Sequence, residues 1–146
     1  MSLFNRAIET NAPASVILIR VVVGAVFLSE GIQKFLYPAD IGAGRFEKIG
    51  LPSPEFLGPF VGTSEIICGT LVLAGLLTRL AVLPLMIVML VAIASTKFPI
   101  LMAKGFWAMA HESRTDFAML LSSIFLLIVG AGRISVDSRL QREERS

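Results

Sequence analysis

Four apolar runs of about 20 residues dominate this chain, at 16–36, 56–77, 79–98 and 115–132. A helix rises ~1.5 Å per residue, so a run of that length covers the hydrocarbon core of a bilayer. In lipid the backbone must satisfy its own hydrogen bonds, which leaves helices or closed barrels. The runs are continuous rather than alternating, so helices are expected and a transmembrane β-barrel is not. The expected fold is all-α, an integral membrane bundle of four transmembrane helices in a single domain over residues 1–146.

Composition agrees with that class. The chain is 55% hydrophobic and 16% charged, against about 45–50% and about 25% in soluble domains. Residues 1–15 are polar and carry Glu9 and Asn11. They contain no apolar stretch ending in a small-residue cleavage site, so the first run is read as an anchor rather than a cleaved signal. The net charge of +2 does not point to nucleic acid. The tail alternates Arg133, Arg139, Arg142 and Arg145 with Asp137, Glu143 and Glu144, and is expected to lie on an anionic lipid surface.

Prolines and glycines punctuate the runs. Tyr37-Pro38 ends the first helix, because proline disfavours helix in the residue before it. Residues 38–55, with Gly42, Gly44, Gly50, Pro52 and Pro54, read as a loop. Thr78-Arg79 is a very short turn, which makes helices two and three an antiparallel hairpin. Pro84 is expected to bend the third helix and Pro99 to end it. Residues 100–114 are too short and broken to span. Phe106 and Trp107 beside Lys104 mark them as an interfacial or re-entrant segment.

Helical spacing picks out the inward faces. Gly58, Gly62, Glu65 and Gly69 share one stripe in the second run. Arg20, Gly24, Phe27, Gly31 and Lys34 share one in the first, and Asp116, Leu120, Ser123, Leu127 and Gly130 in the fourth. Small residues on such stripes let helices approach closely and favour self-association. Glu65 carries the strongest functional signal, since a carboxylate near mid-bilayer costs roughly 2.5–3.5 kcal/mol and is rarely idle. Glu30 and Lys34 are one turn apart in the favourable order for an ion pair. At ~1.5 Å per residue, Glu30 and Glu65 lie about 9 and 13 Å inside the same side of the membrane.

Gln33, Lys34, Lys97, His111, Arg114 and Asp116 cluster at that end. The opposite end holds little beyond Arg20 and Arg79. The bland reading is that these charges neutralise one another and lock the bundle. The sharper one is a pocket floored by Glu65. With one histidine and one cysteine in the chain, a zinc site is not expected. The lysines argue against a hard cation held by Glu30, Glu65, Glu112 and Asp116. Cys68, being alone, excludes an internal disulfide or dithiol relay and reads as a small packing residue, with a redox or cofactor contact as the alternative because it lies one turn after Glu65.

Several stretches together resemble the DoxX family over nearly the whole chain. They are Arg20-Val21-Val22-Val23-Gly24, Ser29-Glu30-Gly31-Ile32-Gln33-Lys34-Phe35, Gly44-Arg45-Phe46-Glu47-Lys48-Ile49-Gly50 and Glu65-Ile66-Ile67-Cys68-Gly69. They continue with Gly75-Leu76-Leu77-Thr78-Arg79-Leu80-Ala81, Thr96-Lys97, His111-Glu112-Ser113-Arg114-Thr115-Asp116-Phe117 and Gly130-Ala131-Gly132-Arg133. The resemblance implies a four-helix protein of the bacterial inner (plasma) membrane, associated with quinone-linked oxidoreductases. Relatives that perform quinone-linked thiol chemistry use cysteine pairs, which this chain lacks.

Two functions are then expected from different classes. One is a quinone-associated subunit of a membrane oxidoreductase complex. Glu65 and Glu30 would be its catalytic, proton-handling groups. Lys34, Gln33, Lys97, His111, Arg114 and Asp116 would bind quinone or substrate, and a partner subunit or a reduced sulfur compound would donate electrons. The other is a non-enzymatic membrane scaffold or small-solute or ion carrier. Seven basic residues fall on the terminal side (Arg6, Arg20, Arg79, Arg133, Arg139, Arg142 and Arg145) and six on the other. The positive-inside rule has little to act on, and cytoplasmic termini are the expectation.

Overall fold

The computed structural model describes residues 7–143. Its helices are α1 (Val16–Leu36), α2 (Ala43–Lys48), α3 (Pro54–Ala74), α4 (Thr78–Ala92), α5 (Phe98–Lys104), α6 (Phe106–Val129) and α7 (Val136–Glu143). A π-helical turn, Ile93–Lys97, joins α4 to α5, and no strand occurs among the described residues. The expected side assignments of Arg6 and Arg145, and the place of Glu144 in the tail, lie outside the described residues.

Among the described residues, three helical stretches are long and apolar enough to cross a membrane: Val16–Leu36, Pro54–Ala74 and Thr78–Lys104. With 24 residues, α6 has the length for a fourth. Its N-terminal half carries His111, Glu112, Arg114 and Asp116, which keeps it out of that set.

Helices α1 and α3 pack antiparallel through glycine. A Cβ on Gly31 would lie 2.7 Å from the Gly62 carbonyl oxygen, and one on Gly69 would lie 2.8 Å from the Leu28 nitrogen. Such backbone approach is what a stripe of small residues makes possible. Every residue of the expected stripes on α1 and α3 is buried. On α6 the buried positions are Met119, Ser123 and Leu126. Two of the expected positions there, Leu120 and Leu127, are therefore off by one residue. Val23, Phe27, Val72, Val82, Leu85 and Leu126 fill the space between the helices.

The turn between α3 and α4 is tight because Gly75, at φ +69°, takes the left-handed region that glycine occupies without strain. Leu77 shares that region at φ 49°.

Pro99 does not end the third helix as expected. The π-helical turn precedes it, and the chain stays helical to Lys104. The wider turn relieves the usual clash between a proline ring and the preceding turn. The hydroxyls of Ser95 and Thr96 donate to the carbonyls of Val91 and Ala92 at 2.7 and 2.6 Å. Residues 100–114 are consequently helical on both sides of Gly105 (φ +82°), with Trp107 83% exposed.

Candidate functional site

A cavity of about 750 Å³ opens among α1, α2, α3, α4 and α6. Most of its wall is apolar, including Phe27, Phe60, Leu83, Pro84 and Met119, and its charged lining is Glu30, Lys34, Arg45, Glu65 and Asp116. The short helix α2 contributes Arg45 and Phe46, and Ile41, Ile49 and Leu51 flank it. The π-helical turn brings Ser95 and Thr96 to the wall.

Lys34 Nζ donates to Glu65 Oε2 at 2.6 Å. The pair joins α1 to α3, and its side chains are 8% and 2% exposed. This corrects the expected Glu30–Lys34 pair. Among the described residues no cation lies within ion-pair distance of Glu30, which is exposed at the cavity. Spacing along one helix favours the local partner. The close approach of α1 and α3 supplies a better one from across the interface.

Such a pair is weak as a stabilising device, because desolvating each ion costs several kcal/mol. It is also undersaturated. An ammonium has three donors, and this one has a single partner among the described residues. A molecule in the cavity can take up the remainder.

The other expected site residues divide. Asp116 lines the cavity and is held by Lys97 at 3.0 Å. His111 and Arg114 contact each other on the exposed surface of α6 and do not line the cavity. Gln33 turns to Ser29 on its own helix and is likewise off the wall. Arg45 was not expected. Its only trace in the sequence is its place in the glycine-bounded stretch 44–50. Cys68 is buried, free and off the cavity wall. Among the described residues no group of three or more His, Cys, Asp or Glu side chains converges in a way that suits a metal ion.

At the other end of the bundle, Arg20 is 2% exposed. Its guanidinium donates to the carbonyls of Val72, Leu73, Ala131 and Ile134. Two of these acceptors belong to the last turn of α3, where carbonyls lack helical partners and the dipole favours a cation. Asp137 Oδ1 and Oδ2 accept from the backbone N–H groups of Leu77 and Thr78 at 2.7 and 3.0 Å, capping α4. Burial pushes the Asp137 carboxyl above its ordinary value, against the opposing pull of those amides and of Arg20. Arg79 donates to the carbonyls of Glu9 and Leu127. The end expected to be nearly empty is therefore a sealed polar network, and Asp137 turns into the protein rather than onto a lipid surface.

Over residues 15–98 the chain matches the DoxX family model. The chain belongs to the DoxX family. This DoxX protein is 54% identical over 143 residues to "Uncharacterized membrane protein Rv3486" of Mycobacterium tuberculosis, covering 94% of this chain and 88% of that protein. To "Putative oxidoreductase CatD" of Bacillus subtilis it is 29% identical over 121 residues, covering 83% of each. No solved structure matches it. It is a DoxX-family membrane protein whose matched region supplies the Lys34–Glu65 pair and most of the cavity wall.

Proposed function

We propose that this protein is a single-domain, four-helix component of the bacterial inner membrane, with cytoplasmic termini and α6 as the fourth span. It serves there as a quinone-associated subunit of an oxidoreductase complex. The observation that carries this reading is the buried Lys34–Glu65 pair at the wall of a large apolar cavity. The name of the Bacillus subtilis relative adds support for redox chemistry.

The wall suits an amphipathic molecule drawn from the bilayer. A volume of about 750 Å³ falls in the roughly 300–1,000 Å³ range of small-molecule sites. The lining is apolar apart from one charged cluster. A bound quinone supplies the chemistry of accepting two electrons and two protons. Lys34 has N–H donors to spare for an acceptor oxygen over the pair. Glu65 holds and passes a proton, with Glu30 at the cavity as the second carboxylate on that route. Asp116, steadied by Lys97, and Arg45 orient the head group, while Phe27, Phe60 and Met119 keep water away. Electrons come from a partner subunit or a small reduced sulfur compound.

Binding of a short-chain quinone analogue to the purified protein in nanodiscs tests this. Glu65→Gln is expected to leave the protein folded and to weaken binding at least about ten-fold, as losing a charged hydrogen bond does. Unchanged binding overturns it. A second reading, a non-enzymatic scaffold or small-solute carrier, is favoured by the fact that the same pair bridges α1 and α3. That reading predicts a loss of stability without a ligand effect.

A further inference from the structure

A second pocket lies at the sealed end of the molecule, apart from the cavity. It encloses about 180 Å³ and is lined by Thr10, Asn11, Arg133, Ser138, Gln141 and Arg142. Among the described residues no carboxylate lines it. Two guanidinium groups do, and among the described residues neither Arg133 nor Arg142 has an ion-pair or hydrogen-bond partner.

The uncharged groups are also turned toward donating. Gln141 Oε1 already accepts from the Thr10 backbone N–H at 3.1 Å, which leaves the amide nitrogen for the pocket. Thr10 Oγ1 accepts from the Gly132 N–H at 2.8 Å, so its own proton is free to be donated. A wall of donors with two positive charges and no acidic residue among the described lining is complementary to an anion. Planar guanidinium forks favour phosphate oxygens. The volume equals roughly six water molecules' share of liquid, room for a phosphate group with some hydration.

Position narrows the source. Thr10 and Asn11 precede the start of α1 at Val16, and Arg133 follows the end of α6 at Val129. The pocket therefore lies just beyond the apolar helices, at headgroup depth if those helices cross the bilayer. It is built by two segments far apart in sequence, residues 10–11 and 133–142, so it exists only in the folded chain.

We infer that this pocket is a phosphate-binding site, formed by Arg133 and Arg142 with Thr10 and Gln141, that takes the phosphate of an anionic lipid headgroup or free phosphate. It is independent of the proposed quinone cavity.

The full-length protein is tested in two arms. In the first, native mass spectrometry measures phosphatidylglycerol retained from mixed phosphatidylglycerol–phosphatidylcholine nanodiscs. In the second, inorganic phosphate is titrated against the thermal midpoint in pure phosphatidylcholine nanodiscs. Arg133→Gln and Arg142→Gln are compared with Arg139→Gln, an exposed arginine on the helix of Arg142 that does not line the pocket.

The expected result is saturable binding in at least one arm, weakened about ten-fold or more by each pocket substitution and little changed by Arg139→Gln. Retention in the first arm alone names a lipid headgroup, and a phosphate-dependent shift in the second names free phosphate. An unchanged midpoint in phosphatidylcholine without phosphate shows that the variants fold. If one does not fold, Arg133→Lys and Arg142→Lys, which keep the charge and lose the fork, replace it and are expected to weaken binding less. Equal loss in Arg139→Gln, or no saturable binding in either arm, overturns the site.

Discussion

The two ends of this bundle each bury a basic side chain, and they treat it differently. Arg20 is surrounded by backbone carbonyls from the last turn of α3 and the segment after α6. Lys34 meets one carboxylate and faces a cavity of about 750 Å³. A buried cation with four of its five N–H donors engaged holds parts of the chain in place. An undersaturated one, beside open space, is available to a ligand. Burial alone does not separate these roles, since both residues are below a tenth exposed. The number of hydrogen bonds and the presence of a cavity do.

Breaking the sealed end should have the largest effect on stability. Arg20→Met removes the guanidinium donor from four carbonyls, and is expected to cost about 3–5 kcal/mol, as when a buried charge network loses a partner. Thermal unfolding in detergent measures it, with Arg20→Lys recovering only part because one ammonium cannot reach four acceptors. A loss below about 1 kcal/mol contradicts the structural role of Arg20. Gly75→Ala attacks the same network from the turn. Its new Cβ would lie 2.5 Å from the Arg20 guanidinium carbon, at a φ of +69°, and the loss should exceed the roughly 1 kcal/mol typical of left-handed backbone strain.

The Lys34–Glu65 end sharpens the comparison through a double-mutant cycle. Lys34→Met or Glu65→Leu alone strands a buried charge. Together they remove both, and apolar replacements of buried pairs are often neutral or stabilising. The double variant is expected to be more stable than either single one by about 1–3 kcal/mol and yet to bind no quinone analogue. Additive losses in the cycle would instead make the two residues independent.

Asp137 gives a smaller, pH-dependent effect. Its carboxyl lies above the ordinary value of 3.8 in the folded protein because it is buried. The native state then holds that proton to higher pH than the unfolded chain does. The contribution is most favourable below 3.8 and is lost as pH rises through the window up to the raised value. Asp137→Asn should abolish that slope in the thermal midpoint and cost about 1 kcal/mol as a cap. A slope of unchanged size in the variant would assign it elsewhere. Smallest of all, Lys97→Gln removes a partly exposed ion pair to Asp116, worth about 0–1 kcal/mol.

What the sequence made legible was periodic. The first apolar run coincides with Val16–Leu36. The stripe Gly58, Gly62, Glu65 and Gly69 is buried throughout, because one helix face repeats along the chain. The run expected at 56–77 lies at Pro54–Ala74, since Gly75 takes a left-handed turn before the run's last residues. The helix expected at 79–98 continues past Pro99, because a π-helical turn absorbs the proline. The expected start at 115 moves to Phe106, because polar residues at a membrane end do not forbid helix.

Pairings between elements were not legible. Lys34 and Glu65 are 31 residues apart, and Asp137 reaches Thr78 across 59. Nothing in local spacing encodes either contact. Arg45 reached the cavity wall because the loop 38–55 folds its short helix α2 over that wall.

The most direct measurement is quinone-analogue affinity and thermal midpoint taken together on Glu65→Gln. An open, ligand-ready ion pair predicts a midpoint changed much less than in Arg20→Met, with affinity down at least about ten-fold. Unchanged affinity with a midpoint lowered as far as in Arg20→Met would contradict it, making Glu65 one more structural tie.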